Sequence, residues 1–139
     1  MILLIDPGRD PATVALISDG VVVAERTVAE KRQLSRTLLA MIDSVLQEHQ
    51  ATVPGLEAIA VVRGPGPFTS LRIGLAVANA LAVAAARPLV GLTNQPARPI
   101  GALVSEAATK LAAGETASSL LPYYDRPPAI TPPRAGRSA

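Results

Sequence analysis

The sequence contains no cysteine, no tryptophan and a single histidine, and these absences exclude several kinds of chemistry. Without cysteine the chain forms neither a disulfide nor a thiolate metal site, and it offers no thiol nucleophile. His49 alone cannot build a two-histidine metal site, and at the end of a predicted helix it is more typical of a residue that stabilises the last turn. Because Ser35, Thr69 and Ser70 have no evident base partner, we expect no activated nucleophile.

Aromatic residues are also scarce, at 2% of the 139 residues, whereas 49% are hydrophobic. The apolar residues are mostly alanine, valine, leucine and isoleucine, which suits a sheet covered by alanine-rich helices. The length is that of one ordinary domain with a real core. Arginines are not interleaved with aromatic residues, so the chain has no obvious platform for stacking nucleic-acid bases.

Targeting signals are lacking as well. The first strand-like run reaches an acid at Asp6, has no basic residues before it and is too short for a signal peptide. The longest weakly polar stretch, 73–86, contains Asn79 and is shorter than a membrane span. We therefore expect a cytoplasmic protein without a membrane partner.

The formal net charge of +2 is unevenly distributed along the chain. Residues 1–70 carry six basic and eight acidic side chains, whereas residues 71–139 carry seven and three. The end of the chain, 122–139, is rich in proline and arginine. Such a tail could contact RNA phosphates, but an extended or disordered, solvated end is the simpler interpretation.

The first part of the chain predicts three strands, at 2–6, 13–18 and 21–28. The dipeptide Asp19-Gly20 between two apolar runs predicts a hairpin turn, so these strands should form an antiparallel meander.

The rest of the chain alternates between helical and strand patterns. Helices are expected at about 33–49, 71–86 and 102–113, and strands at 56–62 and 89–92. Thr69 or Ser70 is placed to cap the second helix. The order βββαβαβ followed by a closing helix predicts an α/β fold, a single ribonuclease H-like or actin-like lobe with a mixed sheet.

An acid at the end of the first strand is one candidate for chemistry. Asp6, followed by Gly8, could hold a metal ion or approach a nucleotide phosphate. One carboxylate cannot build a two-metal site, and neither Asp43 on a helix nor a solvent-facing Glu57 is well placed to help. A turn-forming aspartate is the simpler interpretation. We expect no bound metal and no cofactor.

The glycine- and proline-rich loop at 63–67 is the other candidate, because it joins a strand to a helix N-terminus. Its two prolines lack the N–H groups that a phosphate cradle uses, and no lysine precedes the Ser/Thr as a P-loop requires. Arg63 and Arg72 flank the loop and could bind an anion or pair with a carboxylate. Gly74 should let the following helix lie close to a neighbouring strand.

The loop and its surroundings resemble a known family. Residues 60–76, AVVRGPGPFTSLRIGLA, are similar to the signature of the TsaB family, usually written GRGPGSFTGLRIGLA. Pro67 and Ser70 replace the usual Ser and Gly. The matching positions that form the motif loop and the start of the helix include Arg63, Gly64, Pro65, Gly66, Phe68, Thr69, Arg72 and Gly74.

The likeness extends, more weakly, over residues 1–95 and about 100–130. Members of the family carry a second actin-like lobe before the closing helix, so the resemblance implies a chain with most of that lobe missing. The expected division is an N-terminal lobe at 1–95, a linker and closing helix at 96–121, and a tail at 122–139. Asp6-Pro7-Gly8 departs from the family's Asp-Thr-Ser and resembles the DPG of RuvC-type nucleases.

The resemblance implies a subunit without catalysis of its own. Such proteins pair with the homologous TsaD, with TsaE in a ternary complex, and form homodimers when alone. Their product is threonylcarbamoyladenosine beside the tRNA anticodon, and tRNA is contacted indirectly. The implied interface uses the helices at 33–49 and 70–86, through Leu34, Leu38, Met41, Leu71, Leu75, Ala78, Ala82 and Ala85.

A different class of function remains open beside this one. A RuvC-like nuclease, or a residual nucleotide-binding protein of the ATPase fold, would be centred on Asp6. It would require further acids close to that residue.

Overall fold

The computed structural model describes residues 1–93 and 99–121, and within them one mixed sheet is covered by helices on both faces. The strands are β1 Ile2–Asp6, β2 Ala12–Ser18, β3 Val21–Val28, β4 Ala58–Val62 and β5 Leu89–Leu92. The α-helices are α1 Leu34–Glu48, α2 Phe68–Ala85 and α3 Ile100–Ala112. The predicted element order is confirmed, and the tail predicted at 122–139 lies outside the described residues.

The strand order in the sheet is β3-β2-β1-β4-β5. β1, β2 and β3 pair antiparallel, which confirms the meander, while β4 and β5 run parallel to β1. The turn between β2 and β3 has positive φ at both Asp19 (51°) and Gly20 (75°). This is the backbone sign that a two-residue hairpin turn requires, and Asp-Gly adopts it readily.

Alternate residues of β1 face two separate hydrophobic clusters. Leu3 and Ile5 pack with α1 and α2 on one face of the sheet, whereas Ile2 and Leu4 pack with α3 on the other. Because both faces are covered, all five residues of this strand are buried.

The first helix is placed as its periodicity predicts. The buried residues of α1 form one stripe on the sheet side, comprising Leu34, Leu38, Met41, Ile42, Val45 and Leu46. His49 follows as the C-cap residue, and its ring nitrogen Nε2 lies 3.0 Å from the carbonyl oxygen of Val23 in β3. The ring therefore binds the outer edge of the sheet instead of the last helical carbonyls.

Several predicted boundaries differ from the structure, and two of them concern candidate residues. β4 begins at Ala58, and the backbone N–H of Glu57, just before the strand, donates to the carbonyl of Met1. The Glu57 side chain faces solvent as expected, 66% exposed, and lies 2.9 Å from the N-terminal amine. α2 begins at Phe68 with Pro67 as its N-cap, so Thr69 and Ser70 lie inside the first turn and neither caps it.

The apolar stretch that contains α2 is longer than expected. At 18 residues, α2 is long and apolar enough to cross a membrane by length and composition alone, a test that core helices also pass. Here one side of it packs on the sheet, through Ser70, Leu71, Gly74, Leu75, Ala78 and Ala82. α3 starts two residues before the predicted position and ends before Gly114, whose positive φ suits a helix C-terminus.

Candidate functional site

The turn after Asp6 and the loop 63–67, the two candidate segments of the sequence, meet at one end of the parallel strands. β1 and β4 are parallel neighbours, so the turn after Asp6 and the loop 63–67 both leave from their carboxyl ends. A Cβ atom on Gly66 would lie 3.5 Å from the Cα atom of Gly8, and one on Gly8 would lie 3.3 Å from Leu71 Cδ2. The turn, the loop and the start of α2 thus form a single packed unit, which we call the motif junction.

Asp6 lies fully inside this junction, at 0% exposure. Its Oδ2 accepts a hydrogen bond of 2.9 Å from Nε of Arg9, and the two side chains form an ion pair. Burial raises the pKa of the Asp6 carboxyl above 3.8, against the opposing effects of Arg9 and of the backbone N–H groups of Arg9 and Gly8. The carboxyl is therefore held by its own turn.

Residues 1–93 and 99–121 contain no group of three His, Asp or Glu side chains that could hold a metal ion. Asp43 lies exposed on α1, hydrogen-bonded to Gln47 at 2.8 Å, and Glu57 binds the N-terminal amine. The multi-carboxylate centre that a RuvC-like nuclease needs is therefore not assembled around Asp6 within the described part of the chain.

The raised pKa of Asp6 predicts how stability changes with pH. Between 3.8 and the higher pKa of the folded state, the folded protein binds more protons than the unfolded chain. The free energy of unfolding contributed by this group therefore falls as the pH rises through that window. Asp6→Asn keeps an oxygen for Arg9 but cannot ionise, so the stability of the parent relative to this variant should fall with rising pH.

Urea unfolding of both proteins at several pH values from about 4 to 8 measures this difference. If the parent instead became more stable relative to Asp6→Asn as the pH rose, the assignment would be contradicted. Such a result would mean that the attraction of Arg9 outweighs the cost of burying the charge.

The two arginines that flank the loop have separate roles. Nε of Arg63 donates to the carbonyl of Leu121 at 2.7 Å. The Arg63 side chain also passes close to Gly91, since a Cβ atom on that glycine would lie 2.8 Å from Arg63 Cδ. The guanidinium of Arg72 lies 5.3 Å from the centre of the Phe68 ring, within cation–π range. Arg63 thus holds the chain that returns after α3, while Arg72 lies on the outer side of α2.

The role of Asn79 was not predicted, because this residue stands in the sequence only as an interruption of an apolar stretch. Its amide binds the backbone of Leu120 twice: Nδ2 donates to the carbonyl and Oδ1 accepts from the N–H, both at 2.9 Å. Leu89 and Ala117 exchange two backbone hydrogen bonds of 2.9 and 2.8 Å nearby. We call residues 115–121 the returning segment, since they cross back over β5 to α2.

The residues predicted to form the partner interface lie mainly in this chain's own core. Ala85 alone is partly exposed, whereas the other seven are buried, namely Leu34, Leu38, Met41, Leu71, Leu75, Ala78 and Ala82. The outward faces of the same helices carry different apolar residues. Val83 is 73% and Leu39 60% exposed.

A shallow depression lies on the outward face of α2. It has a volume of about 320 Å³ and is lined by Thr69, Arg72, Ile73 and Ala76. Two of its lining residues, Thr69 and Arg72, belong to the sequence motif. The motif therefore serves two surfaces: its glycines pack inward at the motif junction, and these side chains face outward.

A βββαβαβ order with a mixed sheet, and a glycine–proline loop that joins its fourth strand to an apolar helix, define a single lobe of the actin-like class. Residues 21–98, more than half of the chain, match the family model described as TsaD: tRNA N6-adenosine threonylcarbamoyltransferase. The chain belongs to this family, and its relatives place it on the TsaB side.

One such relative is the tRNA threonylcarbamoyladenosine biosynthesis protein TsaB of Escherichia coli K12. It is 33% identical over 112 residues, which are 81% of this chain and 48% of that protein. The TsaB protein of Haemophilus influenzae is 31% identical over 93 residues, 67% of this chain and 39% of its own. The chain spans about half the length, or less, of these curated relatives.

A solved structure from Pseudomonas aeruginosa confirms the fold class. It is described as an uncharacterized protein with similarity to peptidase YEAZ, and it superposes with a TM-score of 0.62 at 31% sequence identity. The match covers 67% of this chain and 43% of that one. The resemblance to the TsaB family that the motif indicated is therefore confirmed.

Proposed function

We propose that this chain acts in the synthesis of threonylcarbamoyladenosine in tRNA, as a TsaB-type subunit that docks on a TsaD-like transferase. The observation that carries the proposal is the apolar outer surface of α2 together with Leu39 of α1, since Val83 and Leu39 are among the most exposed large hydrophobic side chains. The names of the related proteins supply the pathway.

The two helices form one layer, because both cover the same face of the sheet and contact each other. Each follows a strand with the direction of β1 and returns to the end of the sheet where such strands begin, so the two helices run in the same direction. Exposed alanines of α2, such as Ala76, Ala80 and Ala84, leave room for a partner helix to approach closely. A pair of partner helices packed on this layer would complete a four-helix arrangement, with Leu39 and Val83 as apolar anchors.

The chemistry of the motif junction supports a scaffolding role. Asp6 is engaged by Arg9, and Gly8 after it packs closely against Gly66 and Leu71. In this proposal the junction fixes the start of α2 relative to the sheet, and the partner supplies the catalytic groups.

Several narrower expectations belong to the same proposal. The chain would work in the cytoplasm, form homodimers through the same layer in the absence of its partner, and join TsaE in a ternary complex. It would contact tRNA only indirectly. The single lobe would suffice for pairing, with 96–121 closing it and 122–139 forming a tail.

The test measures binding of the purified chain to the TsaD-like protein of the same organism by titration calorimetry. Val83→Glu and Leu39→Glu each place a charge on the exposed layer and should weaken binding about tenfold or more. Val21, 62% exposed at the start of β3 and not part of α1 or α2, supplies the matched control Val21→Glu, which should bind like the parent.

Equal binding by all three variants would overturn the α1–α2 interface, and absence of binding by the parent would overturn the partnership itself. Growth of a TsaB-depleted strain carrying each variant reports on the pathway. Val83→Glu and Leu39→Glu should fail to restore growth, whereas Val21→Glu should restore it.

A further inference from the structure

An open cavity lies where the returning segment passes the end of α2. Its volume is about 530 Å³. Its walls include Val83, Arg87, Thr116 and Ser118. The bridge between Leu89 and Ala117 is antiparallel, so the chain after Ala117 runs alongside the chain before Leu89. Ser118 therefore lies towards Arg87, and we call the space that these residues line the Arg87 cavity.

The way in which α2 ends leaves the guanidinium of Arg87 available. The chain turns at Ala86, which has a positive φ of 54°. The N–H groups of Ala86 and Arg87 donate to the carbonyls of Val83 and Ala82 at 3.3 and 3.0 Å, the two bonds of a Schellman motif. The Arg87 side chain uses only Nε, which donates to the carbonyl of Ala85 at 3.3 Å. Within residues 1–93 and 99–121, its terminal nitrogens form neither a hydrogen bond nor an ion pair.

The charge of this part of the chain is positive. Residues 58–105 carry four arginines and no acid, so α2 has no acidic side chain of its own. At the end of the neighbouring helix α1, Glu48 is already paired with Arg26 at 2.8 Å. Glu115 precedes the cavity wall in the returning segment, but among the residues that the structure describes it forms no ion pair with Arg87. The cavity thus offers an uncompensated cation to an incoming acid.

The Arg87 cavity suits a carboxylate at the end of a short aliphatic stem. A guanidinium presents parallel N–H groups to a carboxylate, and the hydroxyls of Thr116 and Ser118 can donate to it as well. Val83 provides an apolar wall for methylene groups. Since Val83 is 73% exposed and is also an anchor of the proposed docking layer, the cavity is continuous with that layer.

We propose that the Arg87 cavity receives an aspartate or glutamate side chain of the protein that docks on α1 and α2, and that Arg87 forms an ion pair with it. This inference rests on the proposed function, since the carboxylate comes from the docked partner. It adds the chemistry of the partner's surface, which must present an acid where it faces the end of α2.

Charge variants of Arg87 test the ion pair by titration calorimetry with the TsaD-like protein. Arg87→Gln keeps hydrogen-bond donors but loses the charge, and it should bind several-fold more weakly than the parent. Arg87→Glu repels the incoming carboxylate and should bind more weakly still. The difference between the parent and Arg87→Gln should shrink as the NaCl concentration rises from about 50 to about 500 mM, because salt screens a partly exposed pair.

Arg32 supplies the control for net charge. It is 90% exposed and lies just before α1, at the other end of the docking layer, because α1 and α2 run in the same direction. Arg32→Gln and Arg32→Glu change the net charge by the same amounts as the Arg87 variants and should bind within about twofold of the parent.

Two neighbouring serines of the returning segment locate the effect. Ser118 lines the cavity, whereas Ser119 is exposed and lies outside the lining. Ser118→Glu supplies Arg87 with an internal carboxylate and should weaken binding several-fold. Ser119→Glu carries the same charge and should bind within about twofold of the parent. Equal affinities of these two variants would overturn the inference.

A purely structural role of Arg87 at the end of α2 has a different signature. It would lower the urea midpoint of Arg87→Gln and leave its affinity equal to that of the parent. Equal affinities of the parent and Arg87→Gln overturn the ion pair while the docking on α1 and α2 stands. If the parent itself does not bind the TsaD-like protein, the proposed function fails and this inference with it.

Discussion

Replacing Ala78 with glutamate is expected to unfold the lobe. Ala78 is fully buried in the cluster between α1, α2 and the sheet, although the family resemblance implied a place in the partner interface. A carboxylate at this position has no ion-pair partner in an apolar environment, and the added atoms have no space. The free energy of unfolding should fall by about 4 kcal/mol or more, a large part of the total for a domain of this size.

Ala80→Glu is the matched control, since Ala80 lies two residues further on the exposed side of the same helix. Its effect should stay within about 0.5 kcal/mol. Urea unfolding followed by circular dichroism compares the two variants with the parent. Equal midpoints for Ala78→Glu and Ala80→Glu would show that α2 does not pack on the sheet with the described face.

The position of Ala78 illustrates why a nearly uniform apolar helix cannot be oriented from sequence. α1 carries polar residues along one side, such as Asp43 and Gln47, so its buried stripe follows from periodicity. α2 offers two apolar stripes, and hydrophobicity does not distinguish them. In the structure, the stripe that includes Leu71 and Ala78 is buried against the sheet, whereas the side of the helix that carries Val83 is exposed to solvent.

The strands were easier to predict because their signals are local. The Asp19-Gly20 turn determines the β2–β3 hairpin, and the continuous apolar run of β4 is typical of a strand covered on both faces. The pairing of β1 with β4 is not local, so the contact between Gly8 and Gly66 follows only from the sheet order. Asp6 and the loop were both predicted as candidates, but not as neighbours.

The contacts of the returning segment were missed for a different reason. Asn79 and Arg63 bind backbone atoms of Leu120 and Leu121, and a backbone acceptor has no sequence signature. A single amide in an apolar helix is a weak signal that such a partner exists, because a partly buried amide needs hydrogen bonds. It does not indicate which segment provides them.

Replacing Gly74 with alanine is expected to destabilise the lobe by about 1–3 kcal/mol through overpacking. A Cβ atom there would lie 2.6 Å from Cβ of Pro7 and would also collide with its Cγ. Pro7 cannot move away easily, since it stands between the buried Asp6 and Gly8, which packs against Leu71. The glycine therefore sets how closely α2 approaches the turn after β1.

Gly101 of α3 is the control, because no atom lies within 4 Å of a Cβ placed on it. Gly101→Ala should be neutral or stabilise the protein by up to about 1 kcal/mol through helix propensity. The double variant Pro7→Gly, Gly74→Ala removes all the colliding atoms of Pro7, so it should lose less stability than the sum of the two single variants. Urea midpoints are measured for the parent and for the four variants. Strict additivity, or equal midpoints for Gly74→Ala and Gly101→Ala, would show that the helix and the turn are not in contact at this position.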